Sequence, residues 1–364
     1  MIDETTTTPV RAPAATDPEV ERFLELIERA RTGAAVDLVL DRTLEGETVT
    51  SIVQGLLAPA QRLVGERWHR GRYTVAHEHI VSGVVDDLLG LLAISTPRPG
   101  PKHTVALVCA EGEWHTTPAR MAALCLRDAG WRVQFLGGSL PAEHLAASLR
   151  TVAPRAVAIS CTLPLALAGV PALIDTCHDH QLPTIAGGIG FGPDDRRARH
   201  LGADGHALNI ATASELLTDW LDRPPPAPTG RSQPAVDEER FTLTVDRTNL
   251  VTAAHQRLEQ RLPAMVGHDE VQRRHTRQDV DDLLRFLDAA LLVDDPRVFA
   301  DFATWRRDLL EARRVPDVVL HATLDAVAST LPAHLSGAHA VLEHGRGILQ
   351  DPTSPAGHGA FRQR

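Results

Sequence analysis

From His103 to Leu221 short apolar runs alternate with stretches of helical periodicity, and no other feature restricts the fold of this chain so tightly. Thr104–Cys109, Arg132–Leu136, Ala156–Ser160 and Pro183–Ala186 read as strands, with a short edge near Ala203–His206. Helical patterns fall between them, as in Pro141–Val152 and Leu167–His180. Such alternation predicts a parallel sheet with right-handed crossovers. The loops leaving the carboxyl ends of the strands then lie along one edge, where open α/β sheets bind ligands. The first of these loops carries Glu111-Gly112-Glu113-Trp114-His115. An imidazole in that place can bind a metal through one nitrogen while a carboxylate, here Glu113, orients the other. Taken alone, His115 reads more readily as a solvated loop histidine. Later loops carry Gly137-Gly138, Ser160-Cys161-Thr162 and Gly187-Gly188. Glycine lets backbone approach a bulky ligand closely, although a tight turn uses it too. No G-x-G-x-x-G follows the first strand, which disfavours a nicotinamide site.

Helices flank the sheet on both sides. Residues 17–96 predict a four-helix bundle: Phe23, Leu24 and Ile27 recur at helical spacing, as do Val36–Leu40, Val49–Leu57, Val64–Trp68 and a segment from Val75 to Leu92. Pro97–Pro101 closes this unit, and the sheet domain spans 102–221. Residues 222–237, with the run Pro224 to Pro228, read as a semi-rigid linker. Residues 238–350 are helical again, in Leu250–Leu262, Val280–Leu292, Val298–Leu310, Val318–Leu331 and Leu335–Leu349, which fits a globin-like or bundle fold. The polar, Thr-rich residues 1–16 and residues 351–364 are expected to be flexible tails. A net charge of −10 argues against a basic nucleic-acid surface, so no direct DNA binding is expected. The four cysteines, Cys109, Cys125, Cys161 and Cys177, form no C-x-x-C pair and sit in apolar contexts, as buried thiols of a reducing cytosol do. No signal peptide and no membrane-length apolar run is evident, so a cytoplasmic protein is expected.

Three features coincide: a bundle directly before the α/β domain, Glu113-Trp114-His115 with Ser160-Cys161-Thr162 and Gly187-Gly188 after successive strands, and Trp68-His69 followed by Glu78-His79. Together they resemble cobalamin-binding modules of the methionine-synthase type. In that family D-x-H-x-x-G supplies a histidine below cobalt. The resemblance makes His115 the lower ligand and Glu113 its acid, with Pro118 departing from the family's glycine. It also implies that Ser160 and Thr162 surround the detached nucleotide tail, and that Gly138, Gly187 and Gly188 let the cofactor lie close to the backbone. Trp68 with Glu78-His79 further resembles the W-x9-E-H signature of cobalamin-dependent photoreceptors. There the Trp shields an adenosyl group, the Glu and His contact it, and the histidine after the Trp can bind cobalt once the group has left. The resemblance thus implies adenosylcobalamin as cofactor, His69 as a second metal ligand, and a sensor rather than an enzyme.

The helical domain after the sheet makes the whole resemble photocobilins, in which such a module is joined to a globin-like domain that binds a bilin. That resemblance implies a biliverdin-like pigment held by some of Arg273, His275, Arg277, Trp305 and His321, since arginines clamp propionates and aromatic rings pack on pyrroles. No cysteine lies beyond Cys177, so a thioether link in this domain is excluded. The alternatives are a corrinoid carrier of a methyl-transfer system and a signalling adaptor whose last domain binds no pigment. A homo-oligomer or a downstream signalling protein is the expected partner.

Overall fold

The structure, a computed structural model, describes residues 17–95, 103–223, 225 and 234–350. Both expected tails, the Pro97–Pro101 linker and most of the 222–237 linker lie outside the described residues.

The first unit is helical. In α1 (Pro18–Glu28) Asp17 caps the start by accepting from Glu19 N at 2.9 Å, and Pro18 fills a first-turn position that needs no N–H. After α2 (Thr32–Leu44), α3 (Val49–Ile52), a π turn (Val53–Leu57) and α4 (Ala58–His69) follow one another directly. The two stripes that the sequence separates are therefore one run of helix with a wide turn inside it. α5 (Val75–Ser95) completes the bundle. Phe23, Leu24, Ile52, Leu56, Leu57 and Leu88 fill its core, and Met121, Leu124 and Cys125 of α6 (Thr116–Asp128) join them. The bundle is thereby seated on the sheet unit. Two hydrogen-bonded ties fix the seat: Asp128 accepts from Thr50 N at 3.0 Å, and Asp86 accepts from the Thr117 hydroxyl at 3.0 Å while pairing with Arg120 at 2.8 Å.

The second unit is a five-stranded parallel sheet in the order β2-β1-β3-β4-β5, formed by β1 (Thr104–Cys109), β2 (Arg132–Phe135), β3 (Ala156–Ser160), β4 (Thr184–Gly187) and β5 (Gly205–Ala207). Alternation along β1 sends Val105, Leu107 and Cys109 to one face with Ala119, Leu126 and Trp131, and sends Ala106 and Val108 to the other. The connecting helices are α6, α7 (Ala142–Val152), α8 (Val170–Asp179) and α9 (Arg196–His200), with α10 (Ile210–Asp222) after β5. The single helix expected over Leu167–His180 is divided: Pro164–Gly169 is a 3₁₀ turn and α8 begins after it. Pro171 has no N–H to return to Leu167, so an α-helix cannot extend backwards through this point without losing a bond.

Six helices follow: α11 (Pro234–Val245), α12 (Arg247–Arg261), α13 (Glu270–Leu292), α14 (Arg297–Ala312), α15 (Val318–Thr330) and α16 (Ser336–Gln350). α11 begins inside the stretch expected to be linker, because Pro234 is acceptable at the first position of a helix. The core of these helices, with Phe286 stacked on Phe302 at 3.8 Å, is continuous with the Ala106–Val108 face of the sheet. At this junction Arg197 of α9 and Asp295, just before α14, form an ion pair at 2.8 Å with both side chains 1% exposed. Arg197 also donates to Gly190 O, and Asp295 accepts from Arg297 N and Nε. All four cysteines are free and buried, and among the described residues no helix is long and apolar enough to cross a membrane.

Burial alone would raise the Asp295 pKa, but Arg297 and Arg197 outweigh it and hold the carboxyl below its ordinary range. A depressed carboxylate stabilises the fold fully above its unfolded pKa, and the contribution disappears as pH falls through the folded value. Asp295→Ala leaves Arg197 buried and uncompensated, so we expect a loss of about 3–5 kcal/mol in denaturant unfolding at neutral pH. The gap between wild type and variant should narrow below the ordinary carboxylate pKa.

Candidate functional site

The strand order reverses between β1 and β3, so the chain leaves these neighbours towards opposite sides of the sheet. The crevice this opens lies at their carboxyl ends. Glu113 fills it. Its side chain is 0% exposed and accepts four hydrogen bonds: from His115 N at 2.8 Å and His115 Nδ1 at 2.6 Å on one oxygen, and from Thr162 N at 2.7 Å and Leu163 N at 2.8 Å on the other. Burial pushes the Glu113 pKa up, and the bonds from His115 and the β3 loop more than reverse this, holding it below the usual carboxylate range. Glu113 is thus an ionised buried acceptor that fixes the imidazole. With Nδ1–H given to the carboxylate, the lone pair of Nε2 is the nitrogen left for a metal.

His115 opens into a cavity of about 430 Å³ between the sheet edge and the bundle. The floor is the β1–α6 loop with Thr162, Gly188 and Ile189. The roof is two helical stripes. Gln54, Ala58, Gln61 and Gly65 follow one another at helical spacing through the π turn and α4, and Glu78, Ser82 and Asp86 do so on α5. A π turn inside a helix is often found at a functional site. The Ser82 hydroxyl lies 2.7 Å from a Glu78 oxygen and 3.2 Å from Gln61 Oε1. Among the described residues no group of three His, Cys, Asp or Glu side chains is placed to hold a free ion. A lone imidazole suits a metal that brings its own equatorial ligands.

The residues singled out by sequence are only partly brought together. His115, Thr162, Gly188 and Glu78 meet at the cavity, and Glu113 is buried behind His115. Gly138 supports it, since a Cβ there would come within 2.8 Å of Thr116 Cγ2 and 3.3 Å of Glu113 O. Ser160 and Gly187 lie opposite each other at the ends of β3 and β4. His79 is exposed, 3.5 Å from Glu78. Trp68 and His69 are not in the cavity wall. Trp68 stacks on Trp305 at 6.3 Å with the Arg313 guanidinium over its ring at 5.2 Å, and His69 stacks on Trp305 at 5.2 Å. The reason is hydrophobic: α14 offers a buried indole at the carboxyl end of α4, where the sequence shows no neighbour. Trp305 therefore packs against the bundle. Of the other C-terminal candidates, Arg277 pairs with Glu270 at 2.9 Å, Arg273 approaches Glu259 at 3.9 Å, His321 pairs with Asp317 at 3.1 Å, and His275 is exposed. Gln61, Ser82 and Asp86 were not anticipated; the i, i+4, i+8 spacing from Glu78 to Asp86 is the signal that marks the α5 stripe.

A family model described as B12 binding domain matches residues 103–213, and a second B12 binding domain model matches residues 19–93. Residues 19–213 are a B12-binding module. Its curated relatives include two HTH-type transcriptional repressors of Myxococcus xanthus: CarH, 38% identical over 122 residues, and CarA, 28% identical over 217 residues. The matches span 34% of this chain and 40% of CarH, and 57% of this chain and 71% of CarA. Among solved structures, the monomethylamine corrinoid protein of Methanosarcina barkeri is 17% identical with a TM-score of 0.47, over 55% of this chain and 98% of that one. A cobalamin-binding protein of Desulfitobacterium hafniense is 20% identical with a TM-score of 0.31, over 55% and 98%.

Two features of the B12-binding module fit such a ligand. The Thr162 hydroxyl is buried without a hydrogen-bond partner at the cavity floor, and a buried hydroxyl left unpaired is costly. Gly188 has φ +102° and stands where a Cβ would collide with the Cys161 carbonyl, so the β4 loop keeps a bare backbone beside the ligand space. His115→Ala should convert bound cobalamin to a base-off spectrum and weaken its binding. Glu113→Gln should retain the histidine yet lower affinity about 10–100-fold, because the imidazole loses its orienting acceptor. Absorbance titration in the dark measures both.

Proposed function

We propose that the chain is a light sensor whose B12-binding module holds adenosylcobalamin, with His115 below the metal and the α4–α5 roof around the upper ligand. The observation that carries this reading is His115, half-buried and held by the fully buried Glu113, facing a cavity roofed by Glu78, the acid of the Trp68-x9-Glu78-His79 signature. When bound, adenosylcobalamin supplies a Co–C bond that visible light breaks. The chain's own part is to exclude water and to respond. The roof does the first with Val53 and Ala58, joined by Met121 of α6. For the second, His69 becomes a further ligand of the metal in the light, which requires it to leave its stack on Trp305 and move into a cavity whose wall it does not line. The contact of Trp68 and His69 with α14 then carries the change into the C-terminal helices. The region matched to the repressors supports a signalling role. A corrinoid carrier would share His115 and the sheet, but has no use for a light-dependent change in α4.

The test is the illuminated holoprotein. Green light should produce a spectrum of a metal with two nitrogen ligands, together with faster hydrogen exchange at the end of α4 and in α14. His69→Ala should bind the cofactor in the dark and fail to give that spectrum. Trp305→Ala should give it more completely, since His69 is then released. An unaltered light-state spectrum in His69→Ala would assign the ligand to another residue, and unchanged exchange in α4 on illumination would favour the carrier.

We further propose that the C-terminal domain is globin-like and binds a linear tetrapyrrole such as biliverdin without a covalent link. One observation favours it. His255 is buried with its Nδ1 unpartnered, and so is Nδ1 of His268; burial chiefly, with Arg277, Arg273 and His268 nearby, lowers the His255 pKa. Glu259 lies 3.4 Å from His255 and 3.9 Å from Arg273, so what the cluster offers such a pigment is the two unpartnered imidazole nitrogens, with the arginines beside them for its propionates. Biliverdin added to the full chain should gain a far-red band, and denaturation should release all of it. An unperturbed pigment spectrum would make this domain a partner-binding helical module.

A further inference from the structure

The roof contains a polar group that the proposed light chemistry does not use. Gln61 lies on α4 in the cavity wall, and its amide nitrogen is buried with no hydrogen-bond partner. Its Oε1 is 3.2 Å from the Ser82 hydroxyl, which is also 2.7 Å from Glu78. That hydroxyl has one proton, and the shorter contact is to the carboxylate, the stronger acceptor. The Ser82 oxygen then has lone pairs to offer Gln61, which an amide N–H matches better than an amide oxygen. Seated either way round, the amide satisfies one end through Ser82 and leaves the other end unpaired. Leaving a buried amide group unpaired costs far more than exchanging it for an apolar side chain, so an unliganded roof gains nothing from a glutamine here. On the same helical run Val53, Ala58 and Gly65 are small or apolar, and Gln54 is its other polar side chain in the wall. Gly65, one turn on, has no side chain to obstruct the amide.

We infer that Gln61, held by Ser82 and Glu78, is a specificity residue for the upper axial ligand of the cofactor and selects a nucleoside over a methyl group. This rests on the proposed placement of adenosylcobalamin with its upper face towards α4 and α5. A nucleoside offers both donors and acceptors to a free amide end, whichever end that is, and a methyl group offers neither. The amide, the hydroxyl and the carboxylate form one polar strip along two helices, Gln61 on α4 and Ser82 and Glu78 on α5, so the discrimination depends on the two helices keeping their register.

The experiment is a dark absorbance titration of the full chain with adenosylcobalamin and, separately, with methylcobalamin. Gln61→Leu should weaken adenosylcobalamin about tenfold, the magnitude of one hydrogen bond, and leave methylcobalamin within about twofold. Ser82→Ala, which frees the amide from its anchor, should lean the same way. The thermal midpoint of cofactor-free Gln61→Leu should equal or exceed that of wild type, because an unpaired buried group has been removed. Equal weakening of both cobalamins, or no weakening of either, overturns the assignment and leaves the B12 reading intact. A wild type that takes up methylcobalamin but not adenosylcobalamin removes the adenosyl reading and this inference together. A wild type that takes up neither removes the module's ligand itself.

Discussion

Everything at the cavity depends on one buried carboxylate. Glu113 has no contact with solvent, and its desolvation would be prohibitive without the four N–H groups that surround it. Those donors come from two loops, after β1 and after β3, which leave adjacent strands in opposite directions. Glu113 therefore does three things with one charge. It closes the crevice at the switch point, it determines which nitrogen of His115 carries the proton, and it joins the floor of the cavity to the centre of the sheet. A carboxylate one methylene shorter, as in the family's D-x-H pattern, would have to be reached by a different loop path. Glu113, before α6, and Pro118, in its first turn, are the two departures from that pattern.

The second dependence is mechanical. The bundle is fastened to α6 through Asp86 and Asp128, and the C-terminal helices are fastened to the sheet through Arg197 and Asp295. These two attachments are independent, and the carboxyl end of α4 meets α14 between them. There the packing is aromatic: Trp68, His69, Trp305 and Phe302 form a continuous stack at 5.2–6.3 Å between ring centroids. The buried ion pair is costly to break from one side, whereas the aromatic contact holds no buried charge. Among the described residues the carboxyl end of α4 meets Trp305 of α14 and Arg313 at its end, which gives a change in the cavity roof a direct route to the C-terminal domain.

Much of this was legible in the residues. Apolar runs gave β1 and β3 to the residue, because strands buried on both faces are apolar throughout their interiors and a polar residue, Thr104 or Ser160, marks one end of each. β2, β4 and β5 were displaced by one or two residues at their ends, where flanking glycine and apolar residues are compatible with strand or turn. The π turn was not legible, since Val53–Leu57 is as apolar as an α-helix and the extra residue is inserted by packing. Nor was α11, because a proline-rich run reads the same whether its last proline ends a linker or opens a helix.

For the site, the chain order determined which loop could hold a ligand, which histidine stood beside an acid, and that glycines lined the neighbouring turns. These are local facts, carried by covalent spacing and by the two periodicities of strand and helix. Only the tertiary structure decided that Glu113 is fully buried and bonded to the β3 loop, that Gln61 and Ser82 share the roof with Glu78, and that Trp68 and His69 turn to Trp305. Each of these joins residues far apart in sequence. Their pairing is governed by which faces are driven out of water together, and that is a property of the whole packed chain.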